Sequence, residues 1–167
     1  MSVILIGMPS SGKSTLGVLL AKKLGYRFID SDLVMQEREG MLLHDIIEQR
    51  GIDCFLEAEN AANLSITDTR AVISTGGSAI YCKEAMKHLR SLGKIVYLHI
   101  SLETMINRLG DYVHRGVVLP NDYTLNDMYK ERSALYESYA DFTISAENWD
   151  ISATLNSNNC VSSLMCC

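Results

Sequence analysis

The stretch Gly7-Met8-Pro9-Ser10-Ser11-Gly12-Lys13-Ser14 constrains this chain more than any other part of it. It stands between an all-apolar run, Val3–Ile6, and a segment, Lys13–Leu24, that places Leu16, Leu19, Leu20 and Leu24 on one helical face before Gly25. An apolar run of that length fits a strand buried on both faces, and Gly25 is a helix stop signal. A GxxxxGK[ST] pattern between a strand and a helix has a physical reading. Gly7 lets the chain leave the strand tightly, and Gly12 permits close backbone approach to phosphate oxygens. Pro9, Ser10, Ser11 and Thr15 complete the stretch, whose successive N–H groups and helix N-terminus form an anion cradle. Lys13 is suited to the β- and γ-phosphates of a nucleoside triphosphate, and the Ser14 hydroxyl to Mg2+.

Further along, strand and helix patterns alternate. Strands are expected at Arg27–Ile29, Ala71–Ser74, Ile95–Ile100 and Phe142–Ile144. Helices are expected at Asp45–Arg50, Cys54–Ser65, Lys83–Leu92, Leu102–Leu109 (capped by Ser101) and Asn126–Tyr139. Strands separated by helices imply a parallel sheet covered on both faces. The expected fold is therefore α/β, a three-layer α/β/α sandwich around a five-stranded parallel sheet. Residues 110–123 carry Gly110, Gly116 and Pro120 without apolar periodicity, which marks a loop of functional length. One domain over residues 1–150 is expected, with residues 151–167, rich in Ser, Asn and Cys, as a frayed tail.

The formal charge of -5 offers no global attraction to nucleic acid or an anionic membrane. The five cysteines are odd in number and have no CxxC spacing, so neither a disulfide framework nor a zinc site is expected, and Cys166–Cys167 read as a tail end. With no export signal in view, the expectation is a cytoplasmic monomer that binds small molecules, without nucleic-acid or membrane partners.

Asp30 and Asp32 follow the second strand. Ligands of open α/β sheets collect at the carboxyl ends of strands, so both carboxylates are candidates to face the glycine-lysine loop. Asp30 suits the Mg2+ shell, and Asp32 suits an acceptor hydroxyl that it orients or deprotonates. The alternative is that one of them caps the helix starting near Leu33. Gly76-Gly77 after the third strand either lets a ligand approach the backbone or is an ordinary turn. Arg132 shares a helix with Lys130 and Glu131 and by pattern alone belongs to the surface. Arg108 ends a helix, where a cation faces the dipole favourably.

Taken together, the glycine-lysine loop, Asp30-Ser31-Asp32, Ser74-Thr75-Gly76-Gly77-Ser78, Arg115, and Arg132-Ser133-Ala134-Leu135-Tyr136 resemble the shikimate kinase family, from about Val3 to Ile144. The resemblance implies a P-loop kinase fold, ATP as phosphoryl donor with Mg2+, and transfer to a small-molecule hydroxyl, with shikimate the leading acceptor. It implies that Asp30 serves the magnesium shell and Asp32 the acceptor hydroxyls. Gly76, Gly77 and Ser78 would lie against the acceptor, and Arg132 would bind its carboxylate. Arg115 would reach the phosphates from a mobile lid, and Arg108 would stack on adenine. Residues 33–64 would form the acceptor-binding helical region.

Three departures accompany the likeness. The family's Phe-Arg-x-x-Glu reads Phe55-Leu56-Glu57-Ala58-Glu59, so Leu56 occupies the position of an arginine that supplies half of a carboxylate clamp. Ser78 replaces a third glycine, and Arg115-Gly116-Val117-Val118 replaces Arg-Pro-Leu-Leu, which gives a more flexible lid. Losing a charge-assisted hydrogen bond costs ~1.5–3 kcal/mol. Two further readings therefore stand beside shikimate phosphorylation: a kinase of the same family acting on another polyol or hydroxy acid, and a nucleotide-binding sensor without catalysis. Arg50 is a candidate to replace the missing cation, although a charge at a helix end has a structural use as well.

Overall fold

The structure, a computed structural model, describes residues 1–110 and 123–147. Five strands, β1 (Ser2–Gly7), β2 (Arg27–Asp30), β3 (Ala71–Ser74), β4 (Gly93–His99) and β5 (Phe142–Ser145), form one sheet in the order β2-β3-β1-β4-β5. All four pairings are parallel. The connecting helices are α1 (Lys13–Leu24), α2 (Ser31–Glu39), α3 (Leu43–Ser65), α4 (Lys83–Leu92), α5 (Leu102–Leu109) and α6 (Leu125–Tyr139). The α/β fold read from the alternation is the fold observed.

Every residue of β1 is buried. Its side chains alternate between two cores, as period-two geometry requires. Ile4 and Ile6 join a cluster with Ile73, Ile95 and Tyr97 that is covered by Met86 and Leu89 of α4, Met105 of α5, and Met128 and Tyr136 of α6. Val3 and Leu5 face the opposite side, against Leu16, Leu20 and Ala21 of α1. A third cluster of Met35, Ile46, Phe55 and Ala62 joins α2 to α3 outside the sheet.

The helices end where local chemistry ends them. Gly25 closes α1 at φ 65°, with its cap N–H returning to the Ala21 carbonyl. Thr124 and Asp127 form a reciprocal capping box at the start of α6. Two details differ from the sequence expectation. The two helices expected at Asp45–Arg50 and Cys54–Ser65 are joined in α3, with the kink at Gly51 (φ 82°, ψ 173°). Strand β4 begins at Gly93 rather than Ile95, because Gly93 pairs with Ser2.

Gly93 has no room for a side chain, since a Cβ there would stand 1.8 Å from the Ser2 carbonyl oxygen. Gly93→Ala must push β4 away from β1, and overpacking of this kind costs about 1–3 kcal/mol. The expected result is a melting temperature lower by about 2–12 °C. An unchanged melting temperature in a thermal scan would show that the sheet absorbs the methyl group.

Candidate active site

Three adjacent strands, β1, β2 and β3, deliver their carboxyl-end loops to one cavity of about 520 Å3. Its walls include Pro9, Ser10, Gly12, Lys13, Ser14 and Thr15 of the loop after β1, Asp32 after β2, and Thr75, Gly76, Gly77 and Ser78 after β3. Leu43, Phe55 and Glu59 of the α3 region, Arg108 of α5 and Arg132 of α6 complete them.

The loop after β1 has the backbone that its sequence requires. Gly7 and Gly12 take φ of 150° and 91°, and Ser10 is held at φ 62°, a conformation uncommon for a side chain with a Cβ. Gly12 is the N-cap of α1. Lys13 is buried, and its Nζ donates to the Gly7 carbonyl at 2.8 Å and the Met8 carbonyl at 2.9 Å. Burial pushes its pKa down to about 8, partly offset by the carboxylates of Asp32 and Asp30. An anionic ligand in the cradle would favour its charged form.

Asp30 is the residue that caps the helix after the second strand, and its second carboxylate oxygen turns to the phosphate loop. Its Oδ1 accepts from the Asp32 N–H, capping α2, while its Oδ2 accepts from the Ser14 hydroxyl at 2.6 Å. A hydroxyl and a carboxylate brought together at the phosphate loop are hard oxygen donors of the kind Mg2+ takes alongside phosphate oxygens and water, so these residues fit that ion.

Asp32, Gly76 and Glu59 meet on the acceptor side. A Cβ at Gly76 would stand 2.1 Å from Glu59 Oε1 and 2.7 Å from Asp32 Oδ1, so only a glycine lets the two carboxyl groups close over this backbone. The Gly76 N–H donates to Ser31 Oγ at 3.0 Å, and Thr75 is tied to the Leu5 carbonyl through both its N–H and its hydroxyl. Desolvation raises the Asp32 pKa to about 6, with Asp30 adding to the effect and Lys13 opposing it. Glu59 is 3% exposed, and its Oε1 has no hydrogen-bond partner among the described residues. Burial pushes its pKa up to about 7, against hydrogen bonding from Ser78 and the positive charge of Arg132, while Asp32 adds to the rise. A carboxyl group of a cavity-lining residue with an unsatisfied oxygen calls for an explanation, and a ligand would supply one.

Arg132, assigned to the surface by pattern alone, is 2% exposed and lies on the inner face of α6, its Nη1 close against Gly77. Tyr136, one turn on, donates its hydroxyl to the Gly77 carbonyl at 2.7 Å. Arg108 lines the cavity and donates to the backbone carbonyls of Ala146 and Glu147.

Not every candidate reaches the cavity wall. Leu56 is half-buried and packs against the Met35–Ile46–Phe55–Ala62 cluster. Arg50 pairs with Glu39 at 2.6 Å, tying α3 to α2, and is not a lining residue. Arg115 and the rest of the lid sequence at 111–122 lie outside the described residues, as do residues 148–167. Glu59, Phe55, Leu43 and Thr75 line the cavity without having been singled out as site residues. For Glu59 the available signal was its place at the end of the Phe-Leu-Glu-Ala-Glu stretch.

The folded pKa of Glu59 is raised above its ordinary 4.5 to about 7, so its contribution to stability is present below that ordinary value. That contribution is lost as pH rises through about 7. Asp32, Arg132, Lys13 and the Ser78 hydroxyl are the groups that face it or act on it. Glu59→Gln, which stays neutral, should gain in melting temperature on wild type between about pH 5 and about pH 8. A difference constant across that interval would mean that Glu59 does not titrate there.

The comparisons with known proteins agree with this geometry. The family model for shikimate kinase matches residues 9–157. A shikimate kinase 2 of Yersinia pseudotuberculosis is 32% identical over 144 residues, covering 83% of each chain. A shikimate kinase 2 of Serratia proteamaculans is 32% identical over 148 residues, covering 86% of this chain and 85% of the relative. Among solved structures, the shikimate kinase of Acinetobacter baumannii in complex with shikimate superposes with a TM-score of 0.87 at 28% identity, covering 97% of this chain and 93% of that one. The shikimate kinase of Aquifex aeolicus superposes with a TM-score of 0.78 at 29% identity, covering 99% and 96%. With the family model spanning most of the chain and relatives above 30% identity matched over most of their length, this chain belongs to the shikimate kinase family.

Proposed function

We propose that this protein transfers the γ-phosphate of ATP to a hydroxyl of shikimate. The observation that carries the reading is the single cavity shared by the phosphate loop, the Asp32–Gly76–Glu59 junction and buried Arg132. A donor and an acceptor bound there sit side by side, as in-line phosphoryl transfer requires.

In this reading the loop N–H groups and Lys13 hold the β- and γ-phosphates, and Arg108 lies beside the base. Ser14 and Asp30 would hold Mg2+, which when bound neutralises charge on the phosphate oxygens. Asp32 orients the acceptor hydroxyl and takes its proton, and its raised pKa keeps it basic enough for that at neutral pH. Arg132 binds the acceptor carboxylate, while Gly76 and Gly77 let the ring approach the backbone. Arg115 of the lid sequence would complete the charge stabilisation and exclude water. The protein is read as a cytoplasmic monomer; among the described residues no helix is long and apolar enough to cross a membrane.

Leu56 favours a second reading, a kinase of this family for a different polyol or hydroxy acid. Packed against the α2–α3 cluster, Leu56 contributes no donor where the family pattern has an arginine. The acceptor half is then anchored by fewer cations and has apolar Leu43 and Phe55 in its wall.

ADP release with MgATP, measured with shikimate and then with a panel of other hydroxy acids, separates the two readings. Stimulation by shikimate at sub-millimolar levels is the expected outcome, and stimulation only by another compound would transfer the activity to that acceptor. Lys13→Ala should reduce turnover by about 10²–10³-fold or more while the far-ultraviolet spectrum stays that of wild type. Undiminished turnover in a pure sample of that variant would overturn the kinase reading. Leu56→Arg should lower the KM for shikimate by about tenfold or more. No change would mean that the pocket is shaped without that second clamp.

A further inference from the structure

Arg132 is held in place by a residue that the reading so far leaves unused. Tyr81 ends the one-turn helix Ala79–Tyr81 that follows the glycine segment, and the residue is 36% exposed. The Arg132 guanidinium carbon stands 5.3 Å from the centroid of that ring, and Arg132 Nε donates to the Tyr81 hydroxyl at 3.3 Å. The turn itself is anchored: the Tyr81 N–H returns to the Ser78 carbonyl at 2.9 Å, and the Sγ of Cys82 donates to Asn60 Oδ1 of α3 at 2.8 Å. On the other side Tyr136 fastens the Gly77 carbonyl to α6 and stacks on Tyr97, ring centroids 5.1 Å apart.

This arrangement matters because of what else lines the cavity. Of the lining cations among the described residues, Lys13 belongs to the phosphate loop and Arg108 to the end next to Ala146–Glu147, which leaves Arg132 for an acceptor anion. Leu56 supplies no second guanidinium. An arginine that binds a carboxylate alone must have its rotamers settled beforehand, because ordering a long side chain on binding subtracts from affinity. An aromatic face under the guanidinium and an acceptor at Nε provide that order. They also engage the face and the Nε edge, while Nη1 lies towards Gly77 in the cavity wall.

We propose that Tyr81 is the positioning residue of the acceptor site: it fixes Arg132 so that this one arginine anchors the acceptor carboxylate. This rests on the proposed acceptor being a hydroxy acid, and it adds a residue from the turn after β3 to the determinants of specificity. Tyr81 touches Arg132 rather than the reacting atoms, so its removal affects acceptor affinity and leaves the nucleotide half alone.

Two variants of the full chain test this. Tyr81→Leu should raise the KM for shikimate about tenfold, and Tyr81→Phe, which keeps the ring and loses the hydroxyl, only about two- to threefold. The KM for MgATP and the kcat should stay within about twofold of wild type, a split that general loosening of the fold would not produce. An unchanged KM for shikimate in Tyr81→Leu, or parallel rises in both KM values, would overturn the proposal. If wild type does not use shikimate at all, the functional reading has failed, and a second readout still decides the role of Tyr81. Peptide mass spectrometry after timed treatment with phenylglyoxal should show Arg132 modified several-fold faster in Tyr81→Leu than in wild type. Equal rates would mean that Tyr81 does not hold Arg132.

Discussion

Strand β1 is paired on both edges and packed on both faces, and the rest of the molecule depends on that double burial. Its backbone groups are satisfied by β3 and β4 and its side chains by two cores, so its end cannot drift. A phosphate loop is useful only if its N–H groups point at one place, and the rigidity of β1 supplies that aim. The sheet order then does the remaining placement. By setting β3 between β1 and β2, it brings three carboxyl-end loops to a common mouth, where ligands of parallel sheets collect.

The electrostatics of that mouth follow from crowding charges away from water. Lys13 is pushed down to about 8, Asp32 up to about 6 and Glu59 up to about 7, each first of all by burial. Their mutual attractions and repulsions partly offset the desolvation without removing it. Such a cluster is costly to a fold and is found where its groups have ligands to meet. The glycines between the charges serve the same end. Gly76 lets two carboxyl groups approach one backbone segment, and Gly77 lets Arg132 Nη1 come close to it.

On the proposed acceptor side, Leu56 stands where the family pattern has an arginine. With Leu56 packed against the α2–α3 cluster and Arg50 paired with Glu39, the proposed reading leaves the acceptor anion to Arg132 among the described lining residues. It is boxed by Tyr81, Gly77 and the turn of α6 that carries Tyr136. A site with fewer charges can still discriminate if the charges it keeps are better ordered.

What could be read in the chain alone was what is local. The phosphate loop, its flanking strand and helix, the Gly25 stop and the Ser101 cap are written in contiguous residues whose backbone needs decide their identity. The alternation of apolar runs and helical faces was enough for a parallel α/β sheet, because period and burial are properties of short segments. Asp30 shows the limit: the sequence offered a metal-shell role or a helix cap, and only the fold shows one carboxylate capping α2 while meeting Ser14. Arg132 looked like a surface charge beside Lys130 and Glu131, since a helix pattern cannot say which neighbour will cover its inner face. Tyr81 carried no short-range signal of its own, and Glu59 only its place at the end of Phe-Leu-Glu-Ala-Glu, because their meaning comes from partners 17 to 51 positions away, Gly76 for Glu59 and Arg132 for Tyr81. Local chemistry is determined by adjacent residues, whereas desolvation and aim are set by what the tertiary structure packs around them.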